Sequence, residues 1–376
     1  MLNEKQELYA KESLEDLKQL IRELTVIPAP SHHEDLRVEY LTKYLRDRGV
    51  ATVHVDEAKN VIWSINDTGT NDLAVMMSHT DVVFPDTTPL PLVVEDDYYR
   101  CPGITDDVTP LCVLLTSALY FHKNGLTPKN GLLIVANSCE EGLGNLKGSR
   151  CIVDTYGDRI KEFITVESGT NRITNRAVGS HRYRVTVETE GGHSYSKFGN
   201  RNAIRYLASM IETLYGVKVP DKPDTKTTYN VGSISGGTSV NTIAQQAEML
   251  FEYRSDDLEC LMQMKKTFDA VIEAYRTMNI RVNVELLGER PCGNIDPEKE
   301  RPLQEKIEKA IRESFGTDPF YRSGSTDANY PLFKGIPAVC IGSVNGNGCH
   351  TREEYLILKD LVPGLRFVLN VMSTYY

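Results

Sequence analysis

The stretch that decides the fold is Leu73–Val83, LAVMMSHTDVV. An apolar run ends in His79, skips Thr80, presents Asp81 and turns apolar again, the pattern of a buried strand closed by polar residues. On an extended chain His79 and Asp81 share one face. A histidine with a carboxylate two residues on can bind a metal while the carboxylate orients the ring. The same pair also serves as a satisfied histidine at a strand end. What separates the two readings is that further acidic or histidine motifs close later apolar runs.

Working outward, ATVHVD, NVIWSI and the GLLIVANS run from Gly131 have strand character. Helical spacing is expected over Ser13–Leu24, and over His32–Arg48 with Ser31 as its cap and Gly49 as its stop. Pro110 opens another helix through about His122. Strands alternating with helices predict a three-layer α/β domain with a mostly parallel sheet. In such sheets ligands bind at the carboxyl ends of the strands. Near Ala177 the texture changes. HRYRVTVETEG, a helix over Asn202–Tyr215, TTYNVGSISGG, AEMLFEYRS, a helix over Leu258–Met278 and IRVNVELL follow in β-α-β-β-α-β order, a small α+β unit with an antiparallel sheet. A helix near Leu303–Ser314, the strand AVCIGS and a last helix from Leu358 return to the first texture. The expected division is residues 1–176 and 288–376 for the larger domain, with 177–287 inserted.

Composition narrows the function. The chain has 376 residues, which favours two domains, and 40% hydrophobic with 25% charged residues is ordinary for a globular protein. A net charge of −10 argues against a nucleic-acid partner. No apolar stretch is expected to approach the ~20 residues that span a bilayer. The start, MLNEKQELYAKESLEDLKQ, lacks the apolar core of a signal peptide. The eight cysteines form no CxxC pair; they read as reduced thiols, and the expected compartment is the cytoplasm. GxSxG, Walker-type and GxGxxG motifs are missing, which weakens serine-hydrolase and nucleotide readings.

Four motifs join HTD. CPGITDDVTP sets Asp106 and Asp107 before the helix opened by Pro110, and adjacent aspartates are costly to bury without a cation. NSCEEGLG puts Glu140 and Glu141 after a buried strand. TVESG ends a strand with Glu167, and NGNGCHTREEY sets His350 in a loop. Individually these also read as a capped turn, a surface pair and loop polar residues. Together, two histidines and several carboxylates at strand ends fit two divalent ions sharing a carboxylate, ~3.5–4 Å apart in hydrolytic sites. One ion would take His79 and the other His350; zinc suits such donors, and cobalt or manganese also fit.

The ordered set HTD, GITDD, CEEG, VES and CHTREE resembles the co-catalytic di-zinc exopeptidase and amidohydrolase family, which includes peptidase T, glutamate carboxypeptidase, acetylornithine deacetylase and succinyl-diaminopimelate desuccinylase. The resemblance covers almost the whole chain. It implies a catalytic α/β domain interrupted by a lid or dimerisation domain, and so a homodimer. It makes His79 and Glu167 ligands of one ion, Glu141 and His350 ligands of the other, and Asp106 the bridge. Asp81 would fix the His79 ring and Glu140 would be the general base. GGHSYSKFGNRNAI resembles the lid segment, whose histidine, here His193, meets the reacting carbonyl. Asn241 and Arg254 match positions around substrate, and SGSTDANY, with Ser325 and Thr326, resembles a loop that binds the substrate's carboxylate or backbone. The family carries lysine where this chain has Val108. The implied activity is a metal-dependent exopeptidase on short peptides. An N-acyl-amino-acid deacylase or carboxypeptidase-type amidohydrolase is the alternative, and an idle metal-binding protein of the same fold is the second.

Overall fold

A computed structural model describes residues 1–293 and 295–376. The chain forms two compact units, Met1–Ala177 with Asn294–Tyr376, and Val178–Gly293. The return to the larger unit comes later than the expected residue 288, because the strand Arg281–Arg290 keeps its ladder with Gly179–Glu188 as far as Arg290.

The larger unit is built on an eight-stranded sheet. Its spatial order is Val53–Val55, Val61–Ile65, Gly131–Asn137, Leu73–His79, Ile160–Ser168, Ala338–Val344, Arg172–Ala177 and Phe320–Gly324. The four strands Gly131–Asn137, Leu73–His79, Ile160–Ser168 and Ala338–Val344 run parallel. Antiparallel pairs flank them. Strands that lie buried on both faces need continuous apolar runs, and Leu73–His79, Gly131–Asn137 and Ala338–Val344 are buried at every residue. Alternate side chains serve two cores. Met76, Ile134, Ile164 and Ile341 join a cluster with residues of the helices Leu14–Thr25, Thr109–Lys123, Pro297–Phe315 and Leu361–Ser373. Val75, Leu133, Phe163 and Ala338 pack on the other face with Ile152 and Leu332. This is the expected three-layer α/β arrangement.

Several local expectations shift. The helix placed at His32–Arg48 spans Asp35–Arg46, and Ser31 does not cap it. The strands Arg172–Ala177 and Phe320–Gly324 were not anticipated. The segment Ile104–Lys123 is 20 residues long and apolar enough by composition to cross a membrane, contrary to the expectation that no stretch approaches that length. Its apolar window is 94% buried, which marks a core helix.

The smaller unit has a four-stranded antiparallel sheet in the order Thr227–Gly236, Gln246–Ser255, Gly179–Glu188, Arg281–Arg290. Alternating inward residues such as Val185, Val187, Met249 and Phe251 pack against Leu207, Met210, Leu261 and Phe268 of the helices Ala203–Tyr215 and Leu258–Thr277. It has the β-α-β-β-α-β order expected of the insert.

Candidate metal centre

Parallel pairing puts the ends of Leu73–His79, Gly131–Asn137, Ile160–Ser168 and Ala338–Val344 on one edge of the sheet. The polar motifs follow from those ends. His79 is buried, with Nε2 3.1 Å from Asp106 Oδ1. The other Asp106 oxygen, Oδ2, lies 3.1 Å from His350 Nε2. His350 Nε2 is also 3.3 Å from Glu141 Oε1. Asp106 therefore lies between two imidazoles, and ligand atoms of His79, Asp106 and Glu141 all fall within 4.8 Å of one another.

Asp81 is the hub behind this group. It is fully buried, and its Oδ1 lies 3.5 Å from His79 Nδ1. It accepts the backbone N–H groups of Glu140 at 3.0 Å and Glu141 at 2.9 Å, and the Ser31 hydroxyl at 2.7 Å. His79 Nδ1 makes its shorter contact, 3.1 Å, with the Asp81 backbone oxygen, so Asp81 holds the ring through both its main chain and its carboxylate, and the carboxylate pins the turn that carries both glutamates. Glu34 holds the preceding residue: its Oε1 accepts from Cys139 N at 3.1 Å and from Cys139 Sγ at 3.2 Å.

The electrostatics of the group follow from its acidity. Burial opposes protonation of His79, but Asp106, Asp107 and Asp81 outweigh it and raise its pKa well above the ordinary value. Asp106 and Glu141 push His350 up to about 11. Burial raises Glu141, partly offset by His350. Burial works against the charge of Asp106 too, yet His350 and His79 hold it below the usual carboxylate range. Asp107, fully buried, accepts the Ser78 hydroxyl and His79 N, and burial raises its pKa strongly. Such a concentration of carboxylates around two imidazoles is stabilised by positive charge. Glu141 Oε1 is buried without a well-formed hydrogen bond. A buried carboxylate oxygen 3.3 Å from an imidazole nitrogen and close to a second carboxylate is the donor chemistry of a divalent cation. These residues fit a metal.

The structure brings His79, Asp81, Asp106, Glu140, Glu141 and His350 into one edge of the larger unit. Glu167 stands outside the 4.8 Å group, and its Oε2 accepts from Arg172 Nη2 at 3.1 Å. Thr326 is buried and serves the turn into the helix Asn329–Phe333: its N–H donates to Asn329 Oδ1, and its Oγ1 accepts from Ala328 N. Ser325 precedes it at the end of the strand Phe320–Gly324. In the smaller unit His193 and Asn241 are neighbours on a short ribbon, with His193 opposite Thr242 and Ser194 N donating to Asn241 O at 2.9 Å. Arg254 lies near the other end of the strand Gln246–Ser255 and makes two 3.0 Å hydrogen bonds to Glu252. Val108 is fully buried in the larger core.

Ser31, Glu34, Asp327 and Glu354 were missed as site residues. Asp327 is fully buried, accepts from Asn137 Nδ2 at 2.6 Å, and is pushed up to about 7 chiefly by burial. Its only sequence signal was its place in SGSTDANY, and Glu354 carried only its closeness to His350.

A family model described as Peptidase family M20/M25/M40 matches residues 75–374. The chain is 25% identical to the uncharacterized protein YqjE of Bacillus subtilis, covering 93% of this chain and 96% of that one. Among solved structures, a tripeptidase from Staphylococcus aureus superposes with a TM-score of 0.77 at 21% identity, covering 96% of this chain and 98% of its own. YXEP of Bacillus subtilis, described as a dinuclear metal binding peptidase, superposes with a TM-score of 0.67 at 14% identity, covering 97% of this chain and 99% of its own.

Proposed function

The chain belongs to peptidase family M20/M25/M40, and from that premise we propose that it is a metal-dependent exopeptidase hydrolysing the amide bonds of short peptides. The observation that carries this reading is Asp106 between His79 and His350, beside a turn on which Asp81 fixes Glu140 and Glu141. His79, Asp106, Glu141 and His350, with Glu167, would hold two divalent ions, zinc being the best match to these donors. Ions so held polarise an amide carbonyl and make water more acidic. Glu140, buried at the end of the strand Gly131–Asn137, accepts the proton of the attacking water as the C–O bond forms. It returns that proton to the amine as the C–N bond breaks. The tripeptidase and dinuclear peptidase among the structural neighbours support the substrate class and the metal count.

The test loads the chain with zinc and offers di- and tripeptides, end-blocked peptides and N-acyl amino acids side by side. Free short peptides should be the best substrates. Glu140→Ala should lower kcat by ~10²–10⁴ while metal content stays at the wild-type level. Undiminished hydrolysis in that variant would remove Glu140 from the mechanism, and preference for N-acyl amino acids would replace the peptidase reading with a deacylase.

A further inference from the structure

Asp106 can face both imidazoles only if its backbone is held in place. The segment leaves helical geometry there, with Asp106 at φ −124°, ψ 79°, and it follows Gly103 at φ 76°. A Cβ at Gly103 would lie 2.3 Å from Val82 Cγ1, so that corner is both strained for other residues and crowded. The inward N–H groups of this corner converge on one side chain from the far end of the sequence. Glu354 Oε2 accepts from Gly103 N at 2.8 Å. Its Oε1 accepts from Thr105 N at 2.7 Å, Thr105 Oγ1 at 2.7 Å and Asp106 N at 3.1 Å. The main chain grips the same segment, since Cys101 N donates to Glu354 O at 3.1 Å and Tyr355 pairs with Arg100.

Glu354 is fully buried, and among the described residues it forms no ion pair with lysine or arginine. Its charge is met by main-chain and hydroxyl donors alone. Charge-assisted bonds to a carboxylate are short and strong, and four on one group fix a loop tightly. Glu354 also follows His350 on the same loop. One residue therefore ties the loop bearing an imidazole to the loop bearing the carboxylate between the imidazoles.

We propose that Glu354 is a positioning residue that presets Asp106 against His350 for cation binding. This rests on the metal reading above. Burying another carboxylate beside an acidic site is unfavourable for stability alone, and the gain is a fixed donor geometry that adds negative potential for the cation.

The test is Co²⁺ titration of the metal-free chain, followed by visible absorption, for wild type, Glu354→Gln and Thr105→Val. Glu354→Gln turns an amide N–H₂ toward inward N–H donors. It should weaken Co²⁺ binding ~10–100-fold, change the absorption bands, and lower kcat at saturating metal with KM held. Thr105→Val deletes only one donor and should weaken binding several-fold. Folded Glu354→Gln with wild-type affinity and bands overturns the inference. If Glu354→Gln does not fold, wild-type Co²⁺ affinity in Thr105→Val overturns it instead. A wild-type chain that takes up no Co²⁺ overturns the metal reading itself, a result distinct from variants that bind as well as wild type.

Discussion

Asp81 shows how much a single buried carboxylate organises. Both of its carboxylate oxygens are engaged, one by Glu140 N with the His79 ring 3.5 Å away, the other by Glu141 N and the Ser31 hydroxyl, while its backbone oxygen lies 3.1 Å from His79 Nδ1. Asp81→Asn keeps the shape but replaces one acceptor with a donor facing a donor, leaving buried groups unpaired. We expect kcat to fall ~10–100-fold with reduced metal retention, while Ser31→Ala, which removes one neutral donor, should cost no more than about tenfold. Parallel measurement of kcat and bound zinc checks both, and an undiminished kcat in Asp81→Asn would refute the hub role. His79 and Glu141 were legible because each follows a buried apolar strand, and Asp106 and His350 because their motifs, GITDD and CHTREE, stand in the order of the family resemblance. Ser31 was not, because a serine ahead of a helical pattern reads as a cap by local rules. Its hydroxyl goes instead to partners 50 and 110 residues away. Glu34 and Glu354 likewise act through space on loops distant in sequence, and local pattern carries no trace of that. The absent lysine has a local correlate: Val108 belongs to the apolar core.

At the scale of elements, the central strands were the easiest to read, since burial on both faces demands unbroken apolar runs. The strands Arg172–Ala177 and Phe320–Gly324 were hidden because RITNRA and FYRSG mix charge with apolar residues at a sheet border. The helix expected near Leu303–Ser314 starts earlier, at Pro297, capped by Asp296 and running through Pro302. Pro302 is the sixth helical residue, so it forgoes the hydrogen bond to Glu298 O, yet the helix continues through it to Phe315. That early start buries Glu300 at 4% exposure with Oε1 unpartnered. Burial lifts its pKa from the ordinary 4.5 to about 7, against a small opposing hydrogen bond from Gln304. Between those values the folded chain binds the proton more tightly than the unfolded one, so this group's contribution to stability falls as pH rises through the window. Glu300→Gln should therefore melt about 2–4 °C higher than wild type at pH 8, on the order of 1 kcal/mol, and show little difference at pH 5. Melting curves at the two pH values decide it, and a constant gap would exclude Glu300 as the titrating group.

At the scale of the whole molecule, the site gathers its groups from most of the length of the larger unit. Ser31, His79, Asp106, Glu141 and His350 span more than 300 residues, and none of them meets another within a single element. Without a cation, the packed core must hold these acidic groups together against their mutual repulsion. A cation bound only by the folded arrangement adds RT ln(1 + [L]/Kd), about 2.7 kcal/mol at a hundred times Kd. The melting temperature should therefore rise with the logarithm of free zinc and fall on chelation. His350→Ala removes one imidazole and should flatten that rise, because fewer donors couple folding to the ion. Differential scanning calorimetry across zinc concentrations reads the slope directly. A melting temperature indifferent to zinc and to chelator would mean that the folded chain binds the ion no better than the unfolded one, and the convergence of these loops would then need another explanation.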